Sequence, residues 1–107
     1  ASIISEKYWA EVSVKEIQRH ASGKQSSTTN ETYLALRDSI KYVTGIEPTP
    51  VGVGGATCAN FFRANGYDAY VWETGGGTLH TPNEYVEINN IITDAKVFAT
   101  LFYKLCV

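Results

Sequence analysis

A glycine-rich segment holds the side chains with the clearest potential for chemistry. It runs from Thr74 to Glu84 and reads TGGGTLHTPNE, which places His80 four residues before Glu84. A neutral imidazole nitrogen binds zinc, and a nearby carboxylate can orient the ring. One histidine is a single ligand, whereas a zinc site needs three or four. Two interpretations follow, a metal ligand on a glycine loop or a surface histidine in an ordinary turn.

A second glycine-rich segment, Gly52 to Thr57 (GVGGAT), lies between an expected strand and an expected helix. Backbone N–H groups and the dipole at a helix start favour a phosphate or carboxylate. The segment lacks the Gly-Lys-Ser/Thr ending of a P-loop and the third glycine of a dinucleotide fingerprint. A tight turn that needs positive φ explains the glycines equally well.

Other polar side chains give weaker indications. Cys58 lies in the first turn of the expected helix, where the dipole can lower a thiol pKa, but structural helix cysteines are commoner than reactive ones. His20 is interpreted as a solvated residue beside a hinge. Glu73 and Glu84 bracket the glycine loop, either as an acid/base pair or as solvated carboxylates. Cys58 and Cys106 are the only cysteines, and a disulfide between them is left open.

Composition sets limits on the class of protein. The 107 residues fit one domain, and 44% hydrophobic with 19% charged residues is typical of a globular chain. A net charge of −2 argues against nucleic-acid binding. No apolar run approaches the ~20 residues of a membrane span, and no signal peptide is visible. We therefore expect a soluble, cytoplasmic protein. The chain has no methionine and opens on Ala1, which indicates a removed initiator or a piece of a longer protein.

The N-terminal region predicts a strand followed by a hinge. From Trp9 to Ile17 apolar and polar residues alternate, which is typical of a half-buried strand. The segment from Ala21 to Thr29 is small and polar, as linkers are. We place an internal boundary in this hinge.

Three helices are expected. Thr28 and Glu31 form a capping-box pattern, helical spacing follows, and Gly45 ends the first helix; the spaced residues are Tyr33, Leu36, Ile40 and Val43. A second helix runs from about Thr57 to Asn65. The last runs from about Asn90 to the terminus, with an apolar face of Ile91, Ala95, Phe98, Phe102 and Leu105.

Short strands are expected between these helices, at residues 50–55 and at Ala69–Trp72. The resulting alternation predicts an α/β fold in which helices pack on a small, mostly parallel sheet. Two or three strands make a poor sheet alone. We therefore expect strands from a further polypeptide segment, either upstream or in a partner subunit, to complete the sheet.

Residues 52–62 (GVGGATCANFF) and 72–91 (WETGGGTLHTPNEYVEINNI) together resemble the C-terminal end of the zinc-dependent amidohydrolase and exopeptidase family. That family includes succinyl-diaminopimelate desuccinylase, acetylornithine deacetylase, glutamate carboxypeptidase and aminoacylase. The His-Thr-Pro-Asn-Glu run is the more specific motif. The resemblance implies that residues 1–22 are the last strand of a lid domain with its hinge, and that residues 23–107 are the C-terminal part of the catalytic domain.

The resemblance also implies roles for particular residues. His80 corresponds to the C-terminal metal ligand of a two-zinc site. The substrate pocket would be lined by Gly54, Gly55, Thr57 and Asn60. Many members carry an aspartate and then an arginine two residues later after this turn, where this chain has Cys58 and Asn60. A neutral or peptide-like substrate, such as a small acylated amino acid or peptide, is therefore expected over a succinylated one.

The other zinc ligands and the glutamate base of the family belong to its N-terminal half, which nothing here resembles. The first hypothesis is a C-terminal fragment of a metal-dependent deacylase or carboxypeptidase-like enzyme, inactive alone, whose partner is the missing half or another subunit. The second is a non-catalytic binding or structural module that dimerises through an open sheet edge. A third, weaker hypothesis is an anion-binding module that uses the Gly52–Thr57 turn.

Overall fold

A computed structural model describes residues 2–19, 23–52 and 55–107, and the described part of the chain is helical. Its elements are α1 (Ser2–Tyr8), α2 (Glu31–Thr44), α3 (Ala59–Ala64) and α4 (Ile88–Cys106). Helices α2 and α4 pack against each other. None of these described helices is long and apolar enough to cross a membrane.

Helix α2 confirms the first predicted helix, with one change at its start. The N-cap is Asn30, not Thr28, because the Asn30 side chain accepts a hydrogen bond from Tyr33 N at 2.8 Å. The end is as expected: Gly45 adopts φ 73°, and its N–H donates to the Lys41 carbonyl at 2.9 Å. Local capping chemistry therefore determines both ends of this helix.

The core lies between α2 and α4. It consists of Leu36, Ile40, Val97 and Leu101, and Tyr70, Trp72 and Phe98 pack on its margin. The predicted apolar face of α4 was wrong, because Val97, with 0% exposure, and Leu101 are the buried residues, while Ile91 and Phe102 are more than half exposed. Contact with α2 selects the buried face. The limits of α3 and α4 otherwise confirm the predicted helices to within a few residues.

The predicted α/β fold with a mostly parallel sheet was wrong for the residues that the structure describes. Residues 10–19, 50–52 and 69–72 contain no strand, and Ser2–Tyr8 form the short helix α1, which was not predicted. A strand needs a neighbouring backbone to share its hydrogen bonds, and residues 69–72 are held instead by side-chain bonds such as those between Ser26 and Ala69. An alternating sequence pattern does not supply that neighbour.

Side chains hold the segment before α2 against the segment after α3. Ser26 Oγ donates to Ala69 O at 3.0 Å and accepts from Ala69 N at 2.9 Å. Arg63 Nη2 also donates to Ala69 O, at 2.6 Å. Asp68 accepts from Ser27 N at 3.1 Å. We call residues 23–30 the strap, because these bonds fix it across the molecule.

The structure does not test two predictions from the N-terminal half. The division into residues 1–22 and 23–107 stays a prediction, and His20 lies outside the described residues. The disulfide that was left open is absent: Cys58 and Cys106 are both free and exposed.

Candidate functional site

The loop that carries His80 is fixed at its start by helix α4. Thr74 donates two hydrogen bonds to Asp94 Oδ1, one from its N–H at 2.8 Å and one from its hydroxyl. These bonds attach the residue before the triple-glycine run to the second turn of α4. The loop is therefore positioned by the same helix that forms the core.

Threonine hydroxyls close the rest of the loop. Thr78 Oγ1 donates to Tyr85 O at 2.8 Å and accepts from Tyr85 N at 3.2 Å. Thr81 donates to Thr78 O from its hydroxyl at 2.6 Å and from its N–H at 3.1 Å. His80 lies inside this closed turn, so its backbone is held on both sides.

His80 has a left-handed backbone, with φ 59°. A residue that is not glycine adopts this region at a cost of about 1–3 kcal/mol, and such residues cluster at functional sites. Its side chain is exposed. The structure thus presents the imidazole to solvent on a closed loop, where a group from outside the described chain can reach it.

A cavity of about 360 Å³ lies beneath the loop. Its lining includes four acidic residues, Glu73, Glu84, Glu87 and Asp94, together with the three loop glycines. Glu73 and Glu84 both line this cavity, and both are exposed. His80 is not part of the lining. Whether the two carboxylates act as an acid/base pair or are only solvated stays a prediction.

The described residues supply a partial metal site at most. Among them, no three side chains of His, Cys, Asp and Glu converge to hold a metal ion. An exposed imidazole on a closed loop suits one ligand position of zinc, and zinc needs two or three more protein ligands. Residues outside the described part of the chain would have to complete the site.

The second glycine-rich segment gives a partial picture. Gly54 lies outside the described residues, Gly55 is exposed, and Asn60 is half-buried. Thr57 Oγ1 accepts a hydrogen bond from Ala59 N, the first residue of α3, at 3.2 Å. That N–H is therefore already paired within the chain. The roles of these residues in substrate binding stay predictions.

An apolar groove of about 400 Å³ lies between α3, α4 and residues 69–72. Its lining includes the apolar residues Phe62, Val71, Trp72 and Phe98, together with Thr57 and Cys58. Trp72 Nε1 is buried and donates no hydrogen bond to any described residue. In the sequence, this groove is indicated by the apolar run Ala69–Trp72, whose pattern predicts a strand.

Tyr70 borders the same groove, and its pKa differs from the ordinary value. Its hydroxyl donates to Ser27 O in the strap. Burial raises the pKa of Tyr70 above the ordinary value of 10.0, and the nearby Asp68 carboxylate acts in the same direction. The neutral phenol is therefore the form that the fold favours.

Comparison with known proteins gives two kinds of match. The model of peptidase family M20/M25/M40 matches residues 6–104, a range that includes the His80 loop and the groove. An uncharacterized metallohydrolase of Methanococcus maripaludis is 36% identical over 83 residues, and one of Methanocaldococcus jannaschii is 34% identical over 83 residues. No solved structure matches.

The two relatives are much longer than this chain. Each match covers 78% of this chain and 20% of the relative. The chain thus corresponds to about a fifth of a metallohydrolase polypeptide from these archaea. Four-fifths of each relative lies outside the matched region.

Proposed function

We propose that this chain acts as the C-terminal part of the catalytic domain of a metal-dependent hydrolase that cleaves amide or peptide bonds. The chain belongs to peptidase family M20/M25/M40, whose model matches residues 6–104. The carrying observation is that the family match extends over the His80 loop, while both relatives bear the name metallohydrolase. The desuccinylases, deacetylases, carboxypeptidases and aminoacylases named above are the activities to test first.

In this proposal His80 binds one metal ion of a two-zinc site. Zinc, when bound, supplies a Lewis acid and lowers the pKa of a water ligand. The contribution of this chain is positional: the Thr74–Asp94 and Thr78–Tyr85 bonds fix the backbone of the loop that carries His80. A ligand held in its binding geometry loses less entropy on binding.

The substrate would lie near the turn before α3, against Gly54, Gly55, Thr57 and Asn60. Asn60 offers an amide where many relatives of the resembled family have arginine, so it can donate to or accept from a neutral group but cannot neutralise a carboxylate. We therefore propose a neutral acylated amino acid or a small peptide as substrate, and a cytoplasmic setting.

The isolated chain would be inactive, because it offers one ligand and the described residues hold no completed metal site. Its partner would be the rest of the catalytic domain, on the same polypeptide or on another subunit. A second candidate function, a non-catalytic module that associates with itself or another protein, is favoured by one observation, the exposed apolar groove.

The test is complementation. The complementing fragment is the part of the Methanococcus maripaludis relative outside the 83 matched residues. We would co-purify it with this chain, add zinc, and assay a panel of N-acyl amino acids and dipeptides. Hydrolysis by the assembly, with none by the chain alone, supports the proposal. An assembly that forms, binds no zinc and hydrolyses nothing supports the non-catalytic module instead.

A further inference from the structure

We propose that Asp94 is a positioning residue for His80, and that it acts through Thr74 by holding the loop between them in a single path. Because His80 is a metal ligand only under the proposed function, the effect of Asp94 on metal binding rests on that function. The hold of Asp94 on the loop does not depend on it.

Helix α4 holds both ends of the loop that carries His80. At the start of the loop, Thr74 N and Thr74 Oγ1 both donate to Asp94 Oδ1, at 2.8 Å and 2.5 Å. At its end, the chain enters α4 at Ile88, directly after Glu87. His80 lies between these two points, so the first two turns of α4 set the span of the loop.

The bonds to Asp94 matter because three glycines follow Thr74. Gly75 and Gly76 have φ values of 79° and 153°, and glycine loses more conformational freedom on folding than any other residue. Such a run needs fixed ends to keep a single path. A carboxylate suits this purpose, because hydrogen bonds to a charged acceptor are about twice as strong as those between neutral groups.

Asp94 shares one face of α4 with the buried core. Four residues follow a spacing of four, three and four, which keeps them on one side of a helix: Asn90, Asp94, Val97 and Leu101. Val97 and Leu101 belong to the core between α2 and α4. Asn90 lies against the loop, since a Cβ on Gly75 would be 2.6 Å from Asn90 Nδ2. The face that packs on α2 therefore continues to the loop, with Asp94 between the two.

The requirements of α4 itself do not explain an aspartate at this position. Aspartate stabilises the first turn of a helix through the dipole, but α4 begins at Ile88 and Asp94 lies in its second turn. Aspartate is also among the weaker helix formers in a helix interior. Asp94 is half-buried, and the two donors of Thr74 give its carboxylate a partner there. The loop therefore accounts for this residue better than the helix does.

The first test follows amide hydrogen exchange in the chain alone and needs no metal. In Asp94→Ala, we expect the N–H groups of Thr74, Thr81 and Tyr85 to exchange at least about tenfold faster, because the loop opens locally once its start is released. Thr81 and Tyr85 donate to Thr78 within the turn that contains His80. The N–H of Val97 is the reference, because a general loss of stability would raise its exchange rate by the same factor.

Two further variants control this measurement. Asp38→Ala removes another half-buried helical aspartate, whose partner is Arg37, and should leave the exchange rates of the loop unchanged. Asp94→Asn keeps an acceptor oxygen for Thr74 and loses only the charge. Its exchange rates in the loop should therefore lie between those of the unchanged chain and those of Asp94→Ala.

The second test measures the zinc affinity of the assembly with the complementing fragment, by competition with a chelator. We expect Asp94→Ala to weaken zinc binding about tenfold, as removal of groups that support metal ligands does. Thr74→Val removes the hydroxyl and should weaken binding less. The double variant should bind zinc as Asp94→Ala does, because both substitutions remove the same interaction.

Four outcomes would overturn the proposal. They are unchanged exchange of the loop in Asp94→Ala, an equal rise in exchange at Val97, unchanged zinc affinity in the Asp94→Ala assembly, and additive effects in the double variant. The proposed function fails in a different way, when the assembly with the unchanged chain binds no zinc. The exchange measurement then still decides whether Asp94 holds the loop, so the two failures are distinguishable.

Discussion

At the residue scale, the loop that carries His80 combines a strained backbone with several side-chain hydrogen bonds. His80 and Asn83 both adopt positive φ without being glycine. Around them, Thr74 and Thr78 bond the loop to α4 and to its own far side. Strain held by surrounding bonds is a feature of sites where geometry matters, and this loop carries the one histidine of the family-like motif.

Gly75 provides a test of that geometry. It has φ 79°, and an added Cβ would lie 2.6 Å from Asn90 Nδ2. We expect Gly75→Ala to lower the free energy of unfolding by about 1–2 kcal/mol, chiefly through the left-handed backbone. Gly77→Ala is the matched control, because its Cβ would meet open space, and its effect should stay within about 0.5 kcal/mol. Urea titration measures both, and equal effects would contradict the description of the loop.

Tyr70 makes the free energy of unfolding depend on pH in the alkaline range. Its pKa is raised by burial, so the stabilisation from its neutral form is complete below about pH 10 and is lost as the pH rises through the raised value. We expect the urea midpoint to fall as the pH rises above about 10, and to fall less in Tyr70→Phe. Tyr42→Phe, at an exposed position, should keep the original decline. A decline that is the same in all three proteins would refute the role of Tyr70.

At the element scale, the strap shows how irregular chain is held without a sheet. Ser26, Ser27 and Asn30 each bond a residue in the 68–69 segment. Arg63 adds a donor from α3 to the same carbonyl of Ala69. Side chains thus take the place of the ladder that a strand pair would have formed, and they fix α3 relative to α2.

Close packing of the strap gives a second matched pair. A Cβ on Gly23 would lie 2.4 Å from the backbone carbon of Arg63, whereas one on Gly52 would meet nothing within 4 Å. We expect Gly23→Ala to destabilise the fold by about 1–3 kcal/mol, because the strap must move away from α3. Gly52→Ala should be near neutral. Thermal unfolding followed by circular dichroism measures the difference, and a neutral Gly23→Ala would show that the strap is not packed as described.

Helices were predictable from sequence where their signals are local. The end of α2 at Gly45 and the buried Leu36 and Ile40 came directly from the residue pattern. The buried face of α4 did not, because contact with α2 buries Val97 and Leu101, while the adjacent Phe98 and Phe102 are also apolar. The Ala69–Trp72 strand failed for a related reason: strand formation depends on a neighbour, which the residues themselves do not encode.

The candidate site, too, was predictable from the sequence only in part. The sequence named His80 and its glycine loop from composition and motif, and the family match supports that motif. The Thr74–Asp94 bond could not be foreseen, because twenty residues separate the partners and only the path of the loop brings them together. The unpaired Trp72 indole was equally hidden, since an apolar run gives no indication of a missing acceptor.

At the scale of the whole molecule, the chain is extended. Its radius of gyration is 19.2 Å, whereas a compact domain of this length has about 13 Å. A small core between two helices supports a long shape with extents of 62 × 36 × 22 Å. The proposed function accounts for this shape and for the lack of a completed metal site among the described residues, because further chain would complete the catalytic unit.

The central claim is that His80 supplies a metal ligand to that completed unit. The most direct measurement is the zinc content of the purified assembly of this chain with the complementing fragment, for the unchanged chain and for His80→Ala, with His20→Ala as the matched control. We expect His80→Ala to lose about one zinc per assembly, because a zinc site that loses a protein ligand binds far more weakly, while His20→Ala retains the full content. Full zinc occupancy in the His80→Ala assembly would contradict the account.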